Sequence, residues 1–378
     1  MAFPRALSRR CSKSIAPFAL ALATVAGLAS AARPARAGSN DLRLLNLCPR
    51  YTPAAGVLGQ SGQRECEWIS RDPQTGATRG IVFANESGPR TQIAATSRFR
   101  SLMSELGVVL APRLVTPADT LGFAGFQFSA ELGITQINAS QPYWDGVQGV
   151  DPDAPTASRP PNYLTTVGGF ARKGFWLPVP AVEIGAGFVN VLGSEMFALQ
   201  AYAKVGLHEG FHGWALPSLA VRGAVSHLVG TDQVDMTIGS LDVVISKAFS
   251  VGGTARFEPF AGWNILFIDA RSGVIDATPL CDAYALKNLP MGATLPNCPS
   301  KGAGTSDDLA ANFSFPRQDV IVRQRISGGF KLKLAVLFMA AAYEITPAGR
   351  SNDERESNGA RDQSGSQQGF SLSAGFDF

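Results

Sequence analysis

From about Thr120 onward the chain alternates apolar and polar residues with a period of two. Phe126, Phe128, Ala130, Leu132 and Ile134 interleave with Gln127, Ser129, Glu131, Gly133 and Thr135. Phe197, Leu199, Ala201, Ala203 and Val205 interleave with Ala198, Gln200, Tyr202, Lys204 and Gly206. Ala255, Phe257, Pro259, Ala261, Trp263, Ile265 and Phe267 continue the pattern. Successive side chains of a strand point to opposite faces, so each stretch has one uniformly apolar face and one mixing charge, amide and Gly. A soluble sandwich would not need apolar faces this uniform. Apolar-out, polar-in strands of roughly ten residues fit a closed barrel with lipid outside.

The expected fold is therefore all-β: an up-and-down antiparallel transmembrane barrel of about ten strands, with eight to twelve compatible with the pattern. The expected strands are 121–135, 163–171, 180–192, 195–208, 217–229, 233–248, 253–269, 319–331, 334–346 and 367–378. Strand parity agrees. The long polar connections 136–162, 270–318 and 347–366 follow the first, seventh and ninth strands, so all three fall at one end. With the N-terminal segment in the periplasm, that end faces outside, where long loops belong.

Residues 1–37 read as a cleaved secretory signal peptide. A basic stretch from Arg5 to Lys13 precedes an uncharged run from Ile15 to Ala32, and Ala35-Arg36-Ala37 supplies a small-x-small cleavage site. These residues hold six of the 33 basic side chains and no acidic one, so the remainder carries 27 basic against 30 acidic, a net of −3. Nucleic-acid binding loses its electrostatic motive. Charged residues are only 17% of the chain and apolar residues 45%, which excludes disorder for most of it. After Ala37 the longest apolar run, Leu334 to Tyr343, is half the ~20 residues that a membrane helix needs.

At the C-terminus Phe370, Leu372, Ala374, Phe376 and Phe378 alternate with Ser371, Ser373, Gly375 and Asp377. This strand resembles the C-terminal signal of bacterial outer-membrane barrel proteins, with Phe370, Leu372, Phe376 and Phe378 as its apolar positions. The resemblance implies insertion by the barrel assembly machinery, with outer-membrane lipid as the surrounding medium. Pro117-Ala118-Asp119-Thr120-Leu121-Gly122-Phe123 and Ser246-Lys247-Ala248-Phe249 resemble segments of an uncharacterised outer-membrane barrel family. That family implies an architecture and no activity.

Residues 38–118 do not alternate and form the expected second domain, a periplasmic or lumen-plugging segment ahead of the barrel at 119–378. From Thr91 to Leu110 helical spacing puts Phe99, Leu102, Met103 and Leu106 on one stripe. An amphipathic helix on the inner leaflet surface is the other reading of this stripe. Cys48, Cys66, Cys281 and Cys298 form two local pairs, 18 and 17 residues apart. In an oxidising compartment this spacing suggests Cys48–Cys66 and Cys281–Cys298 disulfides.

His208-Glu209-Gly210-Phe211-His212 matches the zincin pattern H-E-x-x-H. Its mechanism needs a helix, whereas Gly206, Gly210 and Gly213 surround the motif and a strand precedes it, so it is expected in a turn with no catalytic zinc. His227 follows Ser226, but strand neighbours point to opposite faces and cannot act as base and nucleophile. No cofactor and no catalytic residue are expected.

Arg222, Arg256, Arg323, Arg325 and Lys331 should face the lumen, with Glu131, Glu183 and Glu258 as partners. Two readings follow: a charge-lined passage for a small solute, or a salt-bridged filling of a narrow barrel. Trp176, Trp214 and Trp263 read as interfacial aromatics. The leading functional expectation is a narrow channel for a small solute, charged or hydrophobic, gated by residues 38–118. The competing one is a non-conducting barrel displaying its outer loops for adhesion or envelope architecture. A hydrolase built on His208, Glu209 and His212 ranks last.

Overall fold

The computed structural model describes residues 38–47, 90–150, 159–175, 181–209, 216–252, 254–276, 287–288, 312–315, 318–349 and 360–378. Ten long strands follow one another: β1 Phe126–Gln136, β2 Tyr163–Phe175, β3 Val182–Val191, β4 Phe197–His208, β5 Ser218–Val229, β6 Val234–Ser246, β7 Ala255–Ser272, β8 Ile321–Leu334, β9 Leu337–Thr346 and β10 Gln367–Asp377. Each pairs antiparallel with its sequence neighbour, and β10 returns to β1 with Gln127 opposite Asp377 and Glu131 opposite Ser373. The ring is a closed ten-stranded barrel. A short strand, Phe249–Val251, extends one edge beside β7, and Ile275–Asp276 pairs with Asn312–Phe313.

The alternation read from the sequence is the alternation of the wall. Along β1, Phe128, Leu132 and Ile134 face outward and are exposed, whereas Gln127, Ser129 and Thr135 face inward and are buried. The other strands repeat this, with Leu199, Leu241, Ile326, Met339 and Phe376 among the outward apolar side chains. A protein with apolar residues outside and polar residues inside has lipid as its solvent, and each large outward side chain contributes about 1.5–3 kcal/mol there rather than in water. No helix among the described residues is long and apolar enough to cross a membrane.

The ring has two unlike rims. The strand ends Phe175, Val182, His208, Ser218, Ser246, Ala255, Leu334 and Leu337 lie at the short-turn rim with Phe126 and Phe378; Gln136, Tyr163, Ser272, Ile321, Thr346 and Gln367 lie at the long-connection rim. Two tight turns, 192–196 and 230–233, share that second rim. Gly193 turns the first with φ 77°, a left-handed conformation that a side chain would strain.

The first expected strand begins too early. Gly125 N–H bonds the Gly122 carbonyl in a turn, and the Leu121 N–H is taken by Glu183 instead of a neighbouring strand, so pairing starts at Phe126. Helix α1, Arg90–Leu110, spans the expected helical stretch. Phe99, Leu102, Met103 and Leu106 are buried, and so are Ser101, Ser104 and Glu105 on the rest of its surface. The enclosure comes from the wall. Near the long-connection rim the inward positions turn apolar, and Val234, Met236, Ile238, Leu266, Ile268 and Ala270 join α1 in one cluster. The hydrophobic core of this protein sits inside the ring.

Candidate functional site

From the end of α1 at Leu110 the chain runs without regular structure through the lumen to Leu121, and the wall supplies hydrogen bonds to it. Gln200 Nε2 and Ser226 Oγ both donate to the Leu110 carbonyl at 2.9 Å. Arg325 Nη2 donates to the Pro112 carbonyl at 2.5 Å and Arg222 Nη1 to the Arg113 carbonyl at 2.8 Å. Lys204 Nζ donates to the Pro117 and Asp119 carbonyls at 3.1 and 3.0 Å. Some of the segment's own donors are met too: Ala118 N–H bonds Ser246 Oγ, and Thr120 N–H bonds Glu209 Oε1. Pro112 and Pro117 have no N–H to satisfy, which suits a segment surrounded by cationic donors.

Five buried cations of the wall each have a carboxylate beside them. Arg222 pairs with Asp242, Arg172 with Glu131, Lys204 with Glu183 at 3.2 Å, Arg325 with Glu344 at 3.3 Å and Lys331 with Asp377 at 2.6 Å. Opposite charges this close offset much of the cost of leaving water, and the Pro112 and Arg113 carbonyls take further guanidinium protons from Arg222 and Arg325. Close approach also uses missing side chains. A Cβ on Gly133 would lie 0.8 Å from Arg113 Nη1, and one on Gly107 of α1 would lie 2.6 Å from Ile268 Cδ1. A cavity of about 10 Å³, lined by Arg113, Glu131, Thr166, Gln200 and Ser371 among others, has room for roughly one water.

At the long-connection rim a single carboxylate gathers the loops. Glu105, fully buried on α1, accepts from Asn138 N and Nδ2, Tyr143 Oη, Trp144 Nε1 and Gly365 N at 2.5–3.0 Å. Burial, and then the Glu105 charge, hold the Tyr143 phenol well above its usual pKa. Arg323 completes the arrangement, donating to Ser104, Ser364 and the Pro347 and Gly365 carbonyls.

Of the lumen residues expected from sequence, Arg222, Arg323, Arg325, Glu183, Glu258 and Lys331 are inward and buried, and Glu131 is inward and nearly so. They do not form one charged track. Arg222 and Arg325 converge on Pro112, Arg323 serves the opposite rim, and Arg256 is 45% exposed at the short-turn rim, bonded to Asp119 and Glu258. The sequence reading passed over Arg172, Lys204, Asp242, Glu344 and Asp377, although strand parity puts Lys204 beside Gln200 and Asp242 beside Ser240. Nothing in the sequence pointed to Glu105.

His208 ends β4, and Glu209 accepts from both Thr120 N and Oγ1, so this carboxylate holds the segment's exit turn; His212 lies outside the described residues. No group of three or more metal-binding side chains occurs among the described residues. Ser226 faces the lumen while His227 faces outward, bonded to Thr237. Cys48, Cys66, Cys281, Cys298, Trp176, Trp214 and residues 1–37 lie outside the described residues. Phe370, Leu372, Phe376 and Phe378 are exposed at the lipid face, and Phe378 exchanges two backbone hydrogen bonds with Phe126.

Fold and lumen together define a closed ten-stranded barrel of the membrane-spanning class with an occupied interior. Ail, the attachment invasion locus protein of Yersinia pestis, is similar at 10% identity, covering 68% of this chain and 99% of that one, with a TM-score of 0.22. The N-terminal barrel domain of Pseudomonas aeruginosa OprF is similar at 12% identity, with coverage of 68% and 99% and a TM-score of 0.22. An outer membrane channel from Pseudomonas putida F1 is similar at 10% identity, with coverage of 70% and 100% and a TM-score of 0.32. No protein-family model and no curated protein matches the sequence.

Proposed function

We propose that this chain is an exported outer-membrane barrel that does not conduct in its resting state, filled by its own N-terminal segment and presenting a braced loop surface. The observation that carries the reading is the passage of Leu110–Leu121 through the lumen, with its carbonyls held by Arg222, Arg325, Lys204, Gln200 and Ser226. The buried pairs Arg222–Asp242, Arg325–Glu344 and Lys204–Glu183 are spent on one another and on this backbone. The loops 137–150 and 360–365, tied through Glu105 and Arg323, are then the working face.

A second reading, limited passage of a small solute, is favoured by one feature: Leu110–Leu121 is held by side chains and forms no strand pairing, so it can leave without breaking the wall. Single-channel recording of the refolded mature chain in a planar bilayer separates the two. Silence, with the barrel shown to be folded by its heat-modifiable mobility, supports the filled barrel. Stable steps from the unmodified chain overturn it in favour of the channel.

A further inference from the structure

We infer that the barrel carries its own N-terminal segment across the membrane and holds it on the outer face. Three observations converge on this topology. Leu110–Leu121 crosses the lumen once, from Gln200 and Ser226 below α1 to Glu183 and Glu209 at the short-turn rim. Everything described before Leu110 sits at the opposite, long-connection rim: α1 through Glu105 and Ser104, and residues 38–47 through a separate set of bonds. In that set Asn40 N–H reaches the Gly193 carbonyl at 3.0 Å, Glu195 N–H reaches Asp41 Oδ1 at 2.7 Å, and Leu44 N–H reaches Gln233 Oε1 at 2.6 Å. Arg43 N–H bonds Gly146, and Gln148 N–H bonds the Asp41 carbonyl. These partners are the β3–β4 and β5–β6 turns and the long β1–β2 connection, so both pieces of the segment lie on one side.

Outer-membrane barrels keep short turns in the periplasm and long loops outside. By that rule both ends of the wall, Phe126 and Phe378, face the periplasm while Gly38 faces the exterior. A chain delivered from the periplasm reaches this arrangement only if residues 38–110 pass through the lumen before or during closure. The lumen thus serves one translocation event, and the passenger stays behind as its contents. On this inference the segment is a surface element, where the sequence left a periplasmic or a lumen-plugging placement open.

The inference rests on the outer-membrane reading, and the experiment keeps the two failures apart. One epitope is inserted between Ala37 and Gly38 and, in a second variant, between Ala335 and Val336 of the β8–β9 turn. Antibody binding is measured on intact and on permeabilised cells, after fractionation. The expected result is binding to the first epitope on intact cells and to the second only after permeabilisation. If both bind only after permeabilisation while the chain fractionates with the outer membrane, the translocation inference is overturned and the barrel reading stands. A chain absent from the outer-membrane fraction overturns the barrel reading itself. Should the insertions block folding, Arg43→Cys, at an exposed position, and Val336→Cys are labelled with an impermeant maleimide and compared with the parent chain. Labelling above the parent on intact cells is then expected at position 43 and not at 336; the reverse overturns the inference.

Discussion

Trp144 Nε1 donates to Glu105 Oε2 at 2.8 Å while the neighbouring Tyr143 hydroxyl donates to Oε1 of the same carboxylate at 2.7 Å. Two consecutive loop residues thus bind both oxygens of one helix side chain, and the loop cannot lift without exposing a buried charge. Glu105→Ala leaves the Asn138, Tyr143, Trp144 and Gly365 donors buried without an acceptor, a cost of about 3 kcal/mol or more. Refolded protein should show faster proteolysis in 137–150 and red-shifted Trp144 emission, read as a difference against Trp144→Phe, with the barrel retained. Unchanged emission would remove Glu105 from this role.

Alkaline pH should open the same junction. The Tyr143 phenol is held above its ordinary value, first by burial and then by Glu105. Between the ordinary tyrosine pKa of about 10 and the raised one, the unfolded chain has lost a proton that the folded chain keeps, so stability falls as pH rises. Trp144 emission should begin to shift above about pH 10. Tyr143→Phe should remove that alkaline limb while lowering stability at neutral pH, where Glu105 loses a donor. A limb that persists in Tyr143→Phe belongs to another group.

Gly107 gives a test whose sign reverses. Alanine is favoured over glycine in a helix by about 1 kcal/mol, yet its Cβ would meet Ile268 Cδ1 at 2.6 Å and Cγ1 at 2.9 Å. Overpacking of this kind costs roughly 1–3 kcal/mol, so Gly107→Ala should destabilise the native barrel. In an Ile268→Ala background the same change should stabilise it. Urea unfolding of the four proteins gives the coupling, and additivity would place α1 away from the wall.

Arg222→Ala leaves Asp242 buried without its cation and frees the Arg113 carbonyl, for a loss of about 3–5 kcal/mol. Adding Asp242→Ala should recover part of the loss, because the uncompensated charge disappears. In bilayers the single variant should show transient current bursts that the parent lacks. A double variant less stable than Arg222→Ala would contradict the pairing.

Deleting Phe378 removes both backbone hydrogen bonds to Phe126 and the exposed aromatic that directly follows β10. Yield of folded barrel in the outer-membrane fraction should fall several-fold. Full yield would separate this residue from recognition by the assembly machinery.

The wall was legible and its contents were not, for a physical reason. Alternation reports only which neighbours share a face, and lipid makes that signal strong: the expected ranges 195–208 and 217–229 differ from β4 and β5 by two residues or fewer at either end. Arg222 and Arg325 were visible because a cation cannot face lipid. Lys204 carried the same signal and was overlooked. The path of Leu110–Leu121 had no such signature, since its bonds run to residues about a hundred positions away, as from Ser226 to Leu110. Glu105 looked like one more polar position on a helix. Its importance depends on loops from two other parts of the chain.

The pairing of β1 with β10 sets an order of events. Gln127 and Asp377 stand 250 positions apart, so their contact carries a large closure entropy and waits until both strands are in place. Hairpins such as β4–β5 need no such wait. For most of assembly the sheet is an open trough whose polar floor can receive the proline-bearing segment sideways, with no threading through a finished ring. The last contact made in the wall is then the one that fixes what the protein contains.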